Sequence, residues 1–174
     1  EFKLDIDESI HLTDDEDVII IMNHCGWAPI EPMFLNAMIC SFCQRNDYLM
    51  KSDFRIVVAP YLKVIGDLIF PGICISSIDM KVNRAQYKNS HGSSVVIIFP
   101  EGARGPNKSG LTNAYQTREF KRGFLHLAKQ EKRNILVATS IGQEEAFPTW
   151  GTINFDCLKH SINIVLPVWF PPFL

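Results

Sequence analysis

The chain has 174 residues, 47% hydrophobic and 21% charged, with a formal net charge of −2. That length and composition suit one folded domain, residues 1–174, and exclude a disordered segment. A balance so close to neutral gives no bulk attraction to nucleic acid, which is not expected as a partner.

Residues 1–17 form an acidic lead-in. Glu1, Asp5, Asp7, Glu8, Asp14, Asp15, Glu16 and Asp17 stand against Lys3 alone, and a solvated face accounts for them. Val18-Ile19-Ile20-Ile21-Met22 is β-branched and apolar, and reads as a buried strand. It stops at Asn23-His24. Cys25-Gly26-Trp27-Ala28-Pro29 is a turn. A helix is expected from Pro29 or Pro32, with Met33, Phe34, Ala37 and Met38 as its apolar stripe. Phe54–Val58 is a second strand, and residues 59–70 a short helix bounded by Pro60 and Pro71-Gly72. Ile73–Ile78 is a third strand, and residues 81–89 are polar and helical. Val95–Phe99 is the cleanest strand and runs into Pro100-Glu101-Gly102-Ala103-Arg104-Gly105. After a polar loop to Thr117, a helix is expected over Glu119–Lys132, with Phe120, Phe124, Leu127 and Ala128 on one face. Ile135–Ile141 and Ile162–Val168 complete the strands. Strands alternating with helical segments predict an α/β fold with a mostly parallel central sheet flanked by helices.

Five cysteines, an odd number lying mostly in apolar runs, point to reduced thiols in a cytosol-facing domain. Cys40-Ser-Phe-Cys43 is a C-x-x-C in a predicted helix interior with no second pair, so no metal is expected. No run approaches the ~20 apolar residues of a membrane span, and no signal peptide is expected. Glu1 rather than Met opens the chain, so a piece of a longer protein is expected, with room for an anchor outside it.

Chemistry gathers at two strand ends, where open α/β sheets bind ligands. His24 follows the first strand, although a lone histidine there reads more simply as structural. Glu101 and Arg104 follow the fourth, and Arg offers a planar fork for phosphate or carboxylate. A surface turn with an internal Glu–Arg pair explains that segment equally well. Gly102 to Ser109 imitates a P-loop. Asn107 stands where the second glycine belongs, and Pro106 removes a backbone N–H from the cradle.

The ordered pair Asn23-His24 and Phe99-Pro100-Glu101-Gly102-x-Arg104 resembles the glycerolipid acyltransferase family, which includes lysophosphatidic acid and glycerol-3-phosphate acyltransferases. Its marks are N-H-x4-D and, further along, F-P-E-G-T-R. Phe120-Lys121-Arg122-Gly123 resembles its F-K-x-G, Ile78-Asp79 its I-D-R, and residues 135–142 its V-P-V strand. Gly142-Gln143-Glu144-Glu145 is similar to a diacylglycerol acyltransferase-like branch. The similarity covers most of residues 18–142.

The resemblance implies an acyltransferase-like domain moving an acyl chain from acyl-CoA, a co-substrate, to a glycerolipid hydroxyl, with no cofactor and no metal. His24 would be the general base, and Glu31 the carboxylate that orients it. Asn23, Phe99, Pro100, Glu101, Gly102, Arg104 and Lys121 would bind substrate. Such a protein would contact a membrane surface from the cytosol, the endoplasmic reticulum being the expected organelle, through Phe147, Trp150, Trp169, Phe170 and Phe173. The chain departs from the pattern at four places. Pro29 stands where the motif has Asp, Met80 follows Ile78-Asp79, Ala103 replaces Thr, and Ala138 replaces Pro. Pro29 and Met80 motivate an alternative, a non-catalytic relative that binds lipid or acyl-CoA. A thiol hydrolase using Cys25 and His24 is disfavoured, because sequence neighbours at a strand end point apart.

Overall fold

In the computed structural model the described residues are 7, 16–24, 53–58, 63–69, 74–77, 94–102, 105, 116–141, 149–155 and 162–167. Runs rich in valine and isoleucine become strands β1 (Val18–Met22), β2 (Asp53–Val58), β3 (Cys74–Ser76), β4 (Ser94–Ile98) and β5 (Asn134–Ala138). They form one sheet in the order β3-β2-β4-β1-β5, with every neighbouring pair parallel. Parallel strands covered on both faces read as continuous apolar runs rather than alternating ones. The central strand β4 is buried at all five positions. β5, paired with β1, is half open, and its Val137 is 73% exposed.

Two helices are described, α1 (Lys63–Ile69) and α2 (Gly123–Glu131). Phe124, Leu127 and Ala128 of α2 pack on Ile19 and Ile21 of β1 and on Val96 and Ile98 of β4. The opposite face of the sheet gathers Met22, Ile56 and Ile97, with Ile20, Val58, Phe99 and Ala138 against them. Thus successive residues of β1 and β4 serve two cores.

The α/β expectation agrees with this all-parallel sheet and its helices. Several boundaries differ. α2 begins at Gly123 rather than Glu119, and Phe120, expected on its apolar face, is 38% exposed. The cause is a tertiary hydrogen bond. Lys121 N–H donates to the Pro100 carbonyl at 2.9 Å, which holds the preceding segment against the end of β4 instead of in a helical turn. β5 stops at Ala138 rather than Ile141, because the Ser140 N–H donates to the Asn23 side chain. A strand absent from the sequence reading, β6 (Thr149–Phe155), pairs antiparallel with β7 (Ile162–Pro167) as a separate two-stranded sheet. Its pattern is interrupted by Gly151, where the pairing register shifts, and such a break hides a strand from periodicity. The helices expected after Pro29 and over residues 81–89 lie outside the described residues.

α1 carries the ion pair Lys63–Asp67 at 2.5 Å and touches β3 through Gly66. A Cβ on Gly66 would stand 2.7 Å from Cys74 Sγ and 3.2 Å from its Cβ. Gly66→Ala therefore gains helix propensity of up to about 1 kcal/mol, yet is expected to destabilise the fold by about 1–3 kcal/mol through overpacking. Cys74→Ala added to it should recover part of that loss, as read by urea denaturation. Cys74 is a free, buried thiol. Burial pushes it up from the ordinary cysteine value, Asp67 adds to the rise and Lys63 opposes it. It stays protonated and unreactive in the neutral range.

At the amino end of the sheet lies a charged network. Asp17 Oδ1 accepts from the Ser94 N–H and hydroxyl, both at 2.8 Å. Arg133 Nη1 donates to Ser94 Oγ at 2.7 Å, and its Nε pairs with Glu131 at 2.6 Å. The backbone N–H of Asn134 donates to the Asp17 carbonyl at 3.0 Å. The starts of β1, β4 and β5 are thereby tied together, along with the end of α2.

Candidate active site

All five parallel strands present their carboxyl ends on one edge. β1 and β4 are neighbours, with Ile21 opposite Ile98, so His24 and Glu101, each three residues further on, leave the sheet side by side. The next strand after β1 lies on one side of this pair, and the next after β4 on the other. Connections that leave neighbouring strands in opposite directions mark a switch point, where open α/β sheets bind ligands.

Short hydrogen bonds shape the turn after β4. Gly102 N–H donates to the Phe99 carbonyl and Gly105 N–H to the Gly102 carbonyl, each at 3.0 Å. Gly102 has φ +61, the left-handed region that glycine adopts without strain. Lys121 lies over it, with Nζ 3.1 Å from where a Cβ would stand. The exposed cations Lys121 and Arg122 thus border the turn, their backbone anchored at Pro100.

The His24 ring is half-buried and rests on Phe99, centroids 4.8 Å apart at 37°. Asn23 is 8% exposed. Its amide donates to the Ser140 carbonyl at 2.8 Å and accepts the Ser140 N–H at 2.7 Å. Predicted among the substrate-binding residues, Asn23 here clamps the end of β1 to the end of β5 and steadies the backbone beneath His24. Glu101, expected to project toward an acceptor, is 1% exposed. Pro100 is buried beside it. The fold therefore brings Asn23, His24, Phe99, Pro100, Glu101, Gly102 and Lys121 to one place. Arg104, Glu31 and Cys25 lie outside the described residues.

Two further contributors escaped the sequence. Ser140 is 117 positions from Asn23, and nothing local marks it. Gly105 is buried, and a Cβ there would lie 2.5 Å from His24 Cβ and 3.0 Å from both Cβ and Oε2 of Glu101. Its only sequence signal is a glycine closing the FPEGARG run. Gly105→Ala must displace His24 or the turn. Displacement of about 1 Å costs on the order of 10²-fold in rate, so a turnover loss of that size is expected. Stopped assays read against the melting temperature would separate it from unfolding.

A family model described as Acyltransferase matches residues 3–140. Uncharacterized protein ML2427 of Mycobacterium leprae is 23% identical over 152 residues, which cover 84% of this chain and 38% of that protein. Uncharacterized protein Rv0502 of Mycobacterium tuberculosis is 22% identical over 151 residues, 84% of this chain and 39% of its own length. The chain thus spans well under half the length of these curated relatives. No solved structure matches.

Proposed function

Because the chain belongs to the acyltransferase family, we propose that it moves an acyl chain from a coenzyme A thioester to the hydroxyl of a glycerolipid, of the lysophospholipid or glycerol 3-phosphate type. The observation that carries this reading is the meeting of His24 with the Phe99–Gly102 turn at the carboxyl ends of β1 and β4. An alcohol is a poor nucleophile until a positioned base removes its proton during attack. His24 takes that proton as the hydroxyl oxygen bonds to the thioester carbonyl carbon. The C–S bond then breaks, and the leaving thiolate recovers the proton from the imidazolium. A thioester needs no covalent enzyme intermediate for this transfer. Lys121 and Arg122, exposed at the border of the turn, supply positive potential for a phosphate on the acceptor or donor, and Arg104 is the proposed fork for the same group.

Acyl chains partition into bilayers, so the substrates would be met at a membrane surface facing the cytosol, with the endoplasmic reticulum as the proposed organelle. Among the described residues no helix is long and apolar enough to cross a membrane. Trp150 lies on β6, while Phe147, Trp169, Phe170 and Phe173 lie outside the described residues.

The test is acyl transfer by the purified protein over a panel of acyl-CoA donors and lysophospholipid or glycerol 3-phosphate acceptors. Turnover supports the reading. Thermal stabilisation by these ligands without turnover across the panel would instead favour a non-catalytic relative, the reading suggested by Pro29 in place of the motif acid.

A further inference from the structure

We propose that Glu101 is the positioning carboxylate of His24, filling a task that Pro29 leaves vacant. The inference rests on the reading of His24 as general base. It deepens that reading by moving Glu101 from acceptor contact to support of the base.

Three observations carry it. First, the β1–β4 register brings His24 and Glu101 out of the sheet as neighbours. Second, a single point, the place of an absent Gly105 Cβ, lies 2.5 Å from His24 Cβ and 3.0 Å from Glu101 Oε2. The carboxylate and the base of the imidazole side chain thus both lie close to Gly105. Third, Glu101 is 1% exposed whereas His24 is half-buried. A carboxylate so deep does not meet a head group arriving from solvent. Glu101 Cβ and Oε2 lie beside the same point on Gly105 as His24 Cβ.

The physics follows from burial. A fixed negative charge in a water-poor site acts strongly on a positive charge developing nearby. Imidazole becomes imidazolium as the acceptor hydroxyl attacks, so a carboxylate held beside it stabilises the transition state more than the ground state. Glu101 is buried just past the end of β4, in the turn closed by the Gly102 and Gly105 backbone hydrogen bonds, so its backbone is fixed in place. Gly105 is the complement of this arrangement, since any side chain there would occupy the space between the two groups.

The experiment compares Glu101→Gln and Glu31→Gln with wild type in the acyl-transfer assay, with melting temperatures recorded for each. Glu101→Gln keeps the shape and removes the charge. It is expected to lower kcat by about 10²–10⁴-fold, with the acceptor KM changed less than about threefold, and to lower kcat by more than Glu31→Gln does. The ring 15N chemical shifts of His24 supply a readout free of turnover. They should move in Glu101→Gln and stay in place in Glu31→Gln. A raised acceptor KM with kcat retained in Glu101→Gln would return Glu101 to substrate contact and overturn the proposal. So would a kcat loss in Glu31→Gln matching that of Glu101→Gln, or His24 shifts that ignore Glu101. Should wild type transfer no acyl group at all, the acyl-transfer reading fails, and the nitrogen shifts alone then decide whether Glu101 acts on His24.

Discussion

His24→Ala is expected to lower acyl transfer by about 10²–10⁴-fold, the usual contribution of a general base. The fold should survive the change. The ring is half-buried and rests on Phe99, so a loss of about 1 kcal/mol of stability is expected. The neighbouring clamp between Asn23 and Ser140 uses a different side chain and keeps the end of β1 in register. If the residue acts as a base, kcat falls while the acceptor KM changes little, because proton removal belongs to the transition state and not to the bound ground state. Equal turnover in His24→Ala and wild type would end the assignment.

Arg133→Met should produce the largest stability change, about 3–5 kcal/mol, the usual cost of removing one member of a buried ion pair. Arg133 is 5% exposed. It stands between the Glu131 carboxylate and the Ser94 hydroxyl, which in turn donates to Asp17. Methionine keeps most of the stem volume, so the loss isolates the charge and its hydrogen bonds. Glu131 and Asp17 then lose the cation that balances them in a region of little water. One guanidinium nitrogen, Nη2, already has no hydrogen-bond partner among the described residues, so the network is not saturated even in the native chain. Ser94→Ala should cost less, about 1–2 kcal/mol. Guanidinium chloride titration measures both. Because the network lies at the amino edge of the sheet and His24 at the carboxyl edge, kcat per folded molecule should stay near wild type in Arg133→Met. A matching loss of kcat would show that the two edges are coupled.

Much of this was legible along the chain because it is local. Ile19 to Ile21 and Val95 to Ile98 are too apolar and too branched for anything but buried strands. Their termination by Asn23-His24 and by Pro100 is equally local. The α/β class follows from alternation of such runs with helical spacing, and the resemblance to an acyltransferase family follows from short motifs in order. Where reading failed, a distant residue had intervened. The helix expected from Glu119 waits until Gly123 because Lys121 is bonded to Pro100, and β5 ends early because Asn23 reaches Ser140.

The sequence by itself determined which segments are strands of the main sheet, that this sheet is mostly parallel and flanked by helices, and that a histidine and a glutamate stand at strand ends. Only the tertiary structure decided that those two ends are adjacent, since strand order is set by crossovers that leave no mark in either strand. It also decided the separate standing of the two residues. His24 stays within reach of solvent and Glu101 does not. Depth below a surface depends on everything packed above it, and no short stretch of chain contains that information.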